Sequence, residues 1–98
     1  MLMPEVAVVA IFVARPGREE ELRQVLEANV GPTRKERGAL QYDLHRYNEE
    51  PRRFIFVERW ESEEALDEHC KSAHIQGFRA KAPDLCEHSE VRKATKIL

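Results

Sequence analysis

Residues 42–74 read YDLHRYNEEPRRFIFVERWESEEALDEHCKSAH. Residues 39–47 alternate as a strand should, with Leu40, Tyr42 and Leu44 on one face and Gln41, Asp43 and His45 on the other. The polar stretch 48–51 turns the chain, and residues 54–60 return it with Phe54, Phe56 and Trp60 on one side. Ser62 then stands as a helix N-cap ahead of two acids and the apolar positions Ala65, Leu66 and Cys70, and Ser72 caps a second helical piece. Two paired strands and a broken helix thus gather aromatic and imidazole side chains, with His69 and His74 flanking the break.

The same pattern extends outward on both sides. Residues 6–14, VAVVAIFVA, are apolar throughout, as a central strand covered on both faces would be. Arg15-Pro16-Gly17 ends that strand. Residues 18–30 form a helix with Leu22, Val25, Leu26, Asn29 and Val30 on one face and three acids in the first turn, where the helix dipole favours them. Gly31-Pro32 interrupts it or begins a last turn, and Gly38 closes the segment. Beyond Ser72, Ile75, Phe78 and Ala82 face inward with Pro83 near the helix end, and residues 91–98 read as a final edge strand guarded by lysines.

The resulting βαββαβ order predicts an α+β, ferredoxin-like antiparallel sheet with both helices on one face, formed by a single domain over residues 1–98. The other face then lacks cover. A second copy of the same sheet is the simplest one, which predicts a homodimeric α/β barrel with a pocket between each open sheet face and nearby helical residues.

Composition narrows the function classes. A net charge of -2 with 35% charged residues of both signs offers no basic excess for nucleic acid. No apolar run approaches the roughly 20 residues that span a bilayer, and no basic segment precedes the first apolar run, so a soluble cytoplasmic protein without membrane contact is expected. Cys70 and Cys86 have no CxxC spacing and read as free thiols.

In order and spacing, five pieces resemble the antibiotic-biosynthesis-monooxygenase (ABM) family, whose members include quinol monooxygenases. They are the first strand ending in Arg15-Pro16-Gly17; Pro32-Thr33-Arg34 with Gly38; Tyr42-Asp43-Leu44-His45-Arg46; Glu58-Arg59-Trp60; and His69 with Ser72 and His74. The resemblance implies a dimeric barrel and oxygenation of phenolic or quinol-type compounds by dioxygen, without metal, flavin or haem. Other relatives isomerise small sugar-derived signals or degrade haem. Haem degraders carry an asparagine in the first strand, and VAVVAIFVA has none.

Cofactor-free oxygenation needs an ionised, electron-rich substrate, because triplet dioxygen must receive one electron before it can combine with a closed-shell molecule. A histidine with a pKa near 6.5 suits the proton transfer, so His69 and His74 are the candidate catalytic bases. Trp60, Tyr42 and Phe56, together with Phe54, are candidates for an aromatic pocket, and Glu58 and Asn29 for polar contacts to substrate. Each has a structural alternative. His69 could bond a backbone carbonyl, His74 could pack at a helix start, Trp60 could fill the core or an interface, Asn29 could bond locally, and Glu58 could pair with Arg46. Tyr42 and His45 face opposite ways, so at most one of them enters a given pocket. Two histidines five apart across a helix break, without HxH or HExxH, do not make a metal site by spacing, and no nucleotide loop or hydrolase triad order occurs. The expected activity is monooxygenation of a small aromatic or quinol-like substrate. The alternatives are an isomerase of a small polar metabolite and a non-catalytic small-molecule-binding or stress-related protein.

Overall fold

The computed structural model describes residues 4–98. Seven elements follow in order: β1 (Val6–Ala14), α1 (Glu19–Arg34), β2 (Ala39–Arg46), β3 (Arg53–Trp60), α2 (Glu63–Lys71), α3 (Ala73–Leu85) and β4 (Cys86–Ala94). The four strands form one antiparallel sheet in the order β2-β3-β1-β4. This is the ferredoxin-like arrangement that the element order predicts.

One face of the sheet carries Val8, Ala10, Phe12, Phe54, Phe56 and Trp60, all buried beneath Leu22 and Leu26 of α1, Leu66 of α2 and Phe78 of α3. Among the described residues, no helix lies on the opposite face. Its centre is apolar, with Val9 38% exposed and Ile11, Ile55 and Val57 half-buried beside it. Covering on both sides, expected from the unbroken apolar run of β1, is therefore realised on one side within a single chain.

Two boundaries differ from the sequence reading, the end of α1 and the extent of β4, while Pro83 lies near the end of its helix as expected. Helix α1 continues through Gly31-Pro32 to Arg34, and α3 holds Pro83 and runs to Leu85. Each proline sits in the final turns, where the lost N–H bond costs one rung and little of the helix remains to be broken. Strand β4 occupies Cys86–Ala94 rather than residues 91–98, because its extent is set by β1, with Ala14 opposite Cys86 and Ala7 opposite Ala94. Its position at the sheet edge is as expected. In β2, an irregularity between Ala39 and Gln41 turns Leu40 outward, 46% exposed, while Tyr42 stays buried.

Two glycines close the turns that aim the elements. Gly17 adopts φ +84°, and its N–H donates to Glu19 Oε1 at 2.9 Å at the start of α1. Gly38, at φ +86°, lies so close to α2 that a Cβ there would stand 2.6 Å from Ala65 Cβ. Its carbonyl accepts the Glu61 N–H at 2.9 Å, which ties the end of α1 to the start of α2. Ser62 caps α2 as expected, its Oγ accepting the Ala65 N–H at 3.1 Å. Ser72 lies at the head of α3 but makes no capping bond there; its hydroxyl donates at 2.7 Å to the His69 carbonyl at the end of α2. No helix among the described residues is long and apolar enough to cross a membrane.

Candidate active site

A cavity of about 400 Å3 lies between the helix-covered face of the sheet and the three helices. The sequence reading placed the pocket at the open face; the helices instead stand off the sheet and enclose it on the other side. Val8, Ala10, Phe12, Tyr42 and Phe56 form the floor, Leu66, Ile75 and Phe78 the roof, and both thiols, Cys70 and Cys86, reach the lining. Polar groups are few: Asn29 from α1, Glu58 from β3 and His69 from α2, with Arg79, Glu87, His88 and Ser89 at more exposed positions. A largely apolar space with a few convergent polar groups has the usual make-up of a small-molecule site.

His69 is 6% exposed and held on several sides. Its ring lies 4.6 Å from that of Trp60 and 5.5 Å from that of Tyr42, centre to centre. Nδ1 lies 2.6 Å from Glu36 Oε2, and a carboxylate accepts, so the ring donates there and keeps its lone pair on Nε2. Nε2, on the far edge of the ring, has no hydrogen-bond partner among the described residues, and His69 lines the cavity. Burial pulls the His69 pKa below the ordinary histidine value, the Glu36 contact opposes that, and His74 and Arg79 reinforce it. His69 is thus neutral near pH 7, with an available lone pair.

Glu36 reaches His69 from a tight turn after α1, where its N–H donates to the Thr33 carbonyl at 3.0 Å. Its other oxygen lies 3.6 Å from His74 Nε2, which also sits 3.0 Å from Thr33 Oγ1. His74 therefore stands behind Glu36 and is not among the cavity-lining residues.

On the cavity floor, Glu58 Oε1 accepts the indole N–H of Trp60, which lies behind it, at 2.9 Å. Burial pushes the Glu58 carboxyl up to about 7; the Trp60 bond works against this and the Glu36 charge adds to it. Near neutral pH it can therefore either give or take a proton. Tyr42 stacks on Phe56 at 4.5 Å between ring centres, and burial, with the charge of Glu58, raises its phenol well above the usual range. It remains a neutral hydroxyl.

The family pattern described as antibiotic biosynthesis monooxygenase matches residues 5–81. The chain belongs to the antibiotic biosynthesis monooxygenase family. It is 40% identical over 80 residues to the Mycobacterium tuberculosis protein named "Putative monooxygenase Rv0793", covering 82% of this chain and 78% of that one. With "Putative monooxygenase YcnE" of Bacillus subtilis it shares 36% over 76 residues, covering 78% and 80%. The solved structure of Rv0793 superposes with a TM-score of 0.91 at 35% identity, covering 96% of each chain. PA3566 from Pseudomonas aeruginosa superposes with a TM-score of 0.95 at 28% identity, over 100% of this chain and 99% of that one.

On this ABM scaffold the residues singled out from the sequence fall into three groups. Tyr42, Phe56, Glu58, Asn29 and His69 meet at the cavity. Trp60 and His74 lie one layer behind it, Trp60 fully buried against Glu58 and His69, and His74 against Glu36 and Thr33. Phe54 packs elsewhere, its ring 4.8 Å beneath the Arg46 guanidinium, and His45 lines a separate shallow depression. The Glu58–Arg46 pair considered from the sequence does not form; Arg46 pairs with Glu20. Sequence reasoning missed Glu36 and Thr33. Thr33 continues the buried stripe Leu22, Leu26, Asn29 on α1 and was legible by spacing. Glu36 follows the helix, 33 residues before its partner, and nothing local marks it. With His69 and His74 it forms a two-histidine, one-carboxylate group whose donor atoms lie within 4.8 Å of one another.

Proposed function

We propose that this ABM protein is a cofactor-independent monooxygenase of a small aromatic, quinol-like substrate, with His69 as base. The observation that carries the reading is the 2.6 Å contact between His69 Nδ1 and Glu36, which leaves the Nε2 lone pair on an apolar cavity. Nε2 takes the phenolic proton, and the imidazolium, paired with Glu36, stays beside the resulting oxyanion. The electron-rich anion passes one electron to dioxygen, the radical pair combines to a peroxide that takes the proton back from the His69 imidazolium, and loss of water from this hydroperoxide leaves the ring oxidised with one oxygen atom added. The substrate supplies the electrons and dioxygen accepts them.

The other residues have supporting roles. Tyr42 and Phe56 offer a flat aromatic surface to the ring, and the largely apolar walls exclude water. Asn29, buried at 5% exposure on α1, offers an amide to a ring oxygen, and Glu58 in its protonated form donates to a second one. Trp60 fixes Glu58 in place, and His74 supports Glu36. The open sheet face pairs with a second copy of the chain to complete a barrel, since its centre of Val9, Ile11, Ile55 and Val57 is too apolar to remain in water.

Glu58 favours one second reading. A carboxyl group near pKa 7 and a neutral histidine facing one cavity are also the equipment of an isomerase that moves a proton between two carbons of a polar metabolite. Oxygen uptake separates the two. Purified protein given a panel of hydroquinones and anthrone-like compounds is expected to consume dioxygen beyond their autoxidation. Protein-independent uptake throughout would favour the isomerase or a binding protein without turnover.

A further inference from the structure

We propose that Glu36, His69 and His74 form a binding site for one divalent transition-metal ion, on the side of His69 that faces away from the substrate cavity. Two imidazole nitrogens and a carboxylate are donors suited to Zn2+, Co2+ or Ni2+ rather than to Ca2+ or Mg2+. The three side chains come from three separate elements, the turn after α1, α2 and α3, and so converge only in the fold. Around a tetrahedral ion with ligand bonds of about 2.0–2.2 Å, donor atoms stand about 3.3 Å apart. Glu36 Oε1 and His74 Nε2 are already near that spacing at 3.6 Å, and the carboxylate, whose other oxygen Oε2 lies 2.6 Å from His69 Nδ1, must turn so that one oxygen serves both rings.

A second observation points to the same place. His69 lines not only the apolar cavity but also a wider polar one of about 710 Å3 on its other side. The lining of that outer cavity includes four carboxylates, Glu36, Glu61, Glu64 and Glu68, against the single guanidinium of Arg37. An acidic, open approach concentrates cations at the inner group, and the fourth coordination position can be filled from it by water.

Metal binding has a consequence for the cavity side of the ring. With Glu36 as acceptor, the ring proton sits on Nδ1 and the lone pair on Nε2. An ion at Nδ1 displaces that proton, which moves onto the Nε2 lone pair, and His69 presents a donor where it presented a base. The site itself stands on geometry alone, whereas this inhibition rests on the proposed base role.

Metal-stripped protein is titrated with Zn2+ by calorimetry and with Co2+ by visible absorption. One ion per chain is expected, with the intense Co2+ absorption of a tetrahedral nitrogen–oxygen site. Glu36→Gln and His74→Asn should each weaken Zn2+ binding at least about tenfold, the scale on which even outer-shell changes act. Absence of binding, or equal binding in both variants, overturns the site. Should either variant fail to fold, a Co2+ spectrum of the weak octahedral kind in the unaltered protein overturns it as well. Oxygen uptake measured in the same Zn2+ titration should fall in step with occupancy. Binding with undiminished uptake supports the site and overturns its coupling to His69, and the calorimetry decides the site even where no substrate is turned over.

Discussion

Trp60 and Glu58 stand two residues apart on one face of β3, and the indole N–H of the first donates to the carboxylate of the second at 2.9 Å. A carboxyl so deeply buried that its pKa rises to about 7 is retained on the cavity floor with that bond as its only hydrogen bond among the described residues. A group whose folded pKa lies above its unfolded value holds its proton more tightly in the folded state. Its contribution is complete below the unfolded pKa of about 4.5 and is lost as pH rises through about 7.

Glu58→Gln keeps an acceptor for Trp60 and removes the ionisation. Relative to wild type, the variant should gain stability between pH 5 and pH 8, by on the order of 1–3 kcal/mol at the upper end. Urea unfolding of both proteins across that range measures the difference. Since His69 has its pKa lowered and works in the opposite direction below the ordinary histidine value, the difference between the two proteins, rather than either curve alone, isolates Glu58.

Gly38→Ala meets two obstacles at once, a positive φ and a Cβ 2.6 Å from Ala65 Cβ. The expected cost is roughly 1–3 kcal/mol from the backbone alone, with more from the clash. Because Gly38 joins the turn bearing Glu36 to the start of α2, any oxygenase activity should fall as well. Denaturant unfolding measures the first effect and turnover the second.

Val9→Lys places a charge at the centre of the open sheet face, where it contacts nothing in the core. On the dimer reading, wild type sediments as a dimer at micromolar concentration and the variant as a folded monomer. A monomeric wild type would remove the basis for the barrel.

The first three strands, the inward faces of the helices and the cluster of Tyr42, Phe56, Glu58 and His69 were legible because they follow local periodicities of two and 3.6. The missed features depend on distant partners. Strand β4 begins at Cys86 in a polar run, CEHSE, that shows no alternation, and only the length of β1 fixes its extent. Leu40 reads as inward by alternation and is turned out by a bulge against β3. The pocket fell on the helix-covered face because helix stand-off depends on side-chain volumes across the core, which periodicity does not measure. Glu36 acquires its role only when the Gly38 turn sets it against α2.

The central claim is that Glu36 holds His69 as a neutral base facing the cavity. Its most direct test is the pH dependence of protein-dependent oxygen uptake with a quinol, with autoxidation subtracted, in wild type and His69→Ala. Wild type should show a limb that rises with pH below about 6.5, because burial lowers the His69 pKa, and His69→Ala should lose that limb and at least about 100-fold in rate. A His69→Ala protein that matches wild type in both rate and pH profile would contradict the account.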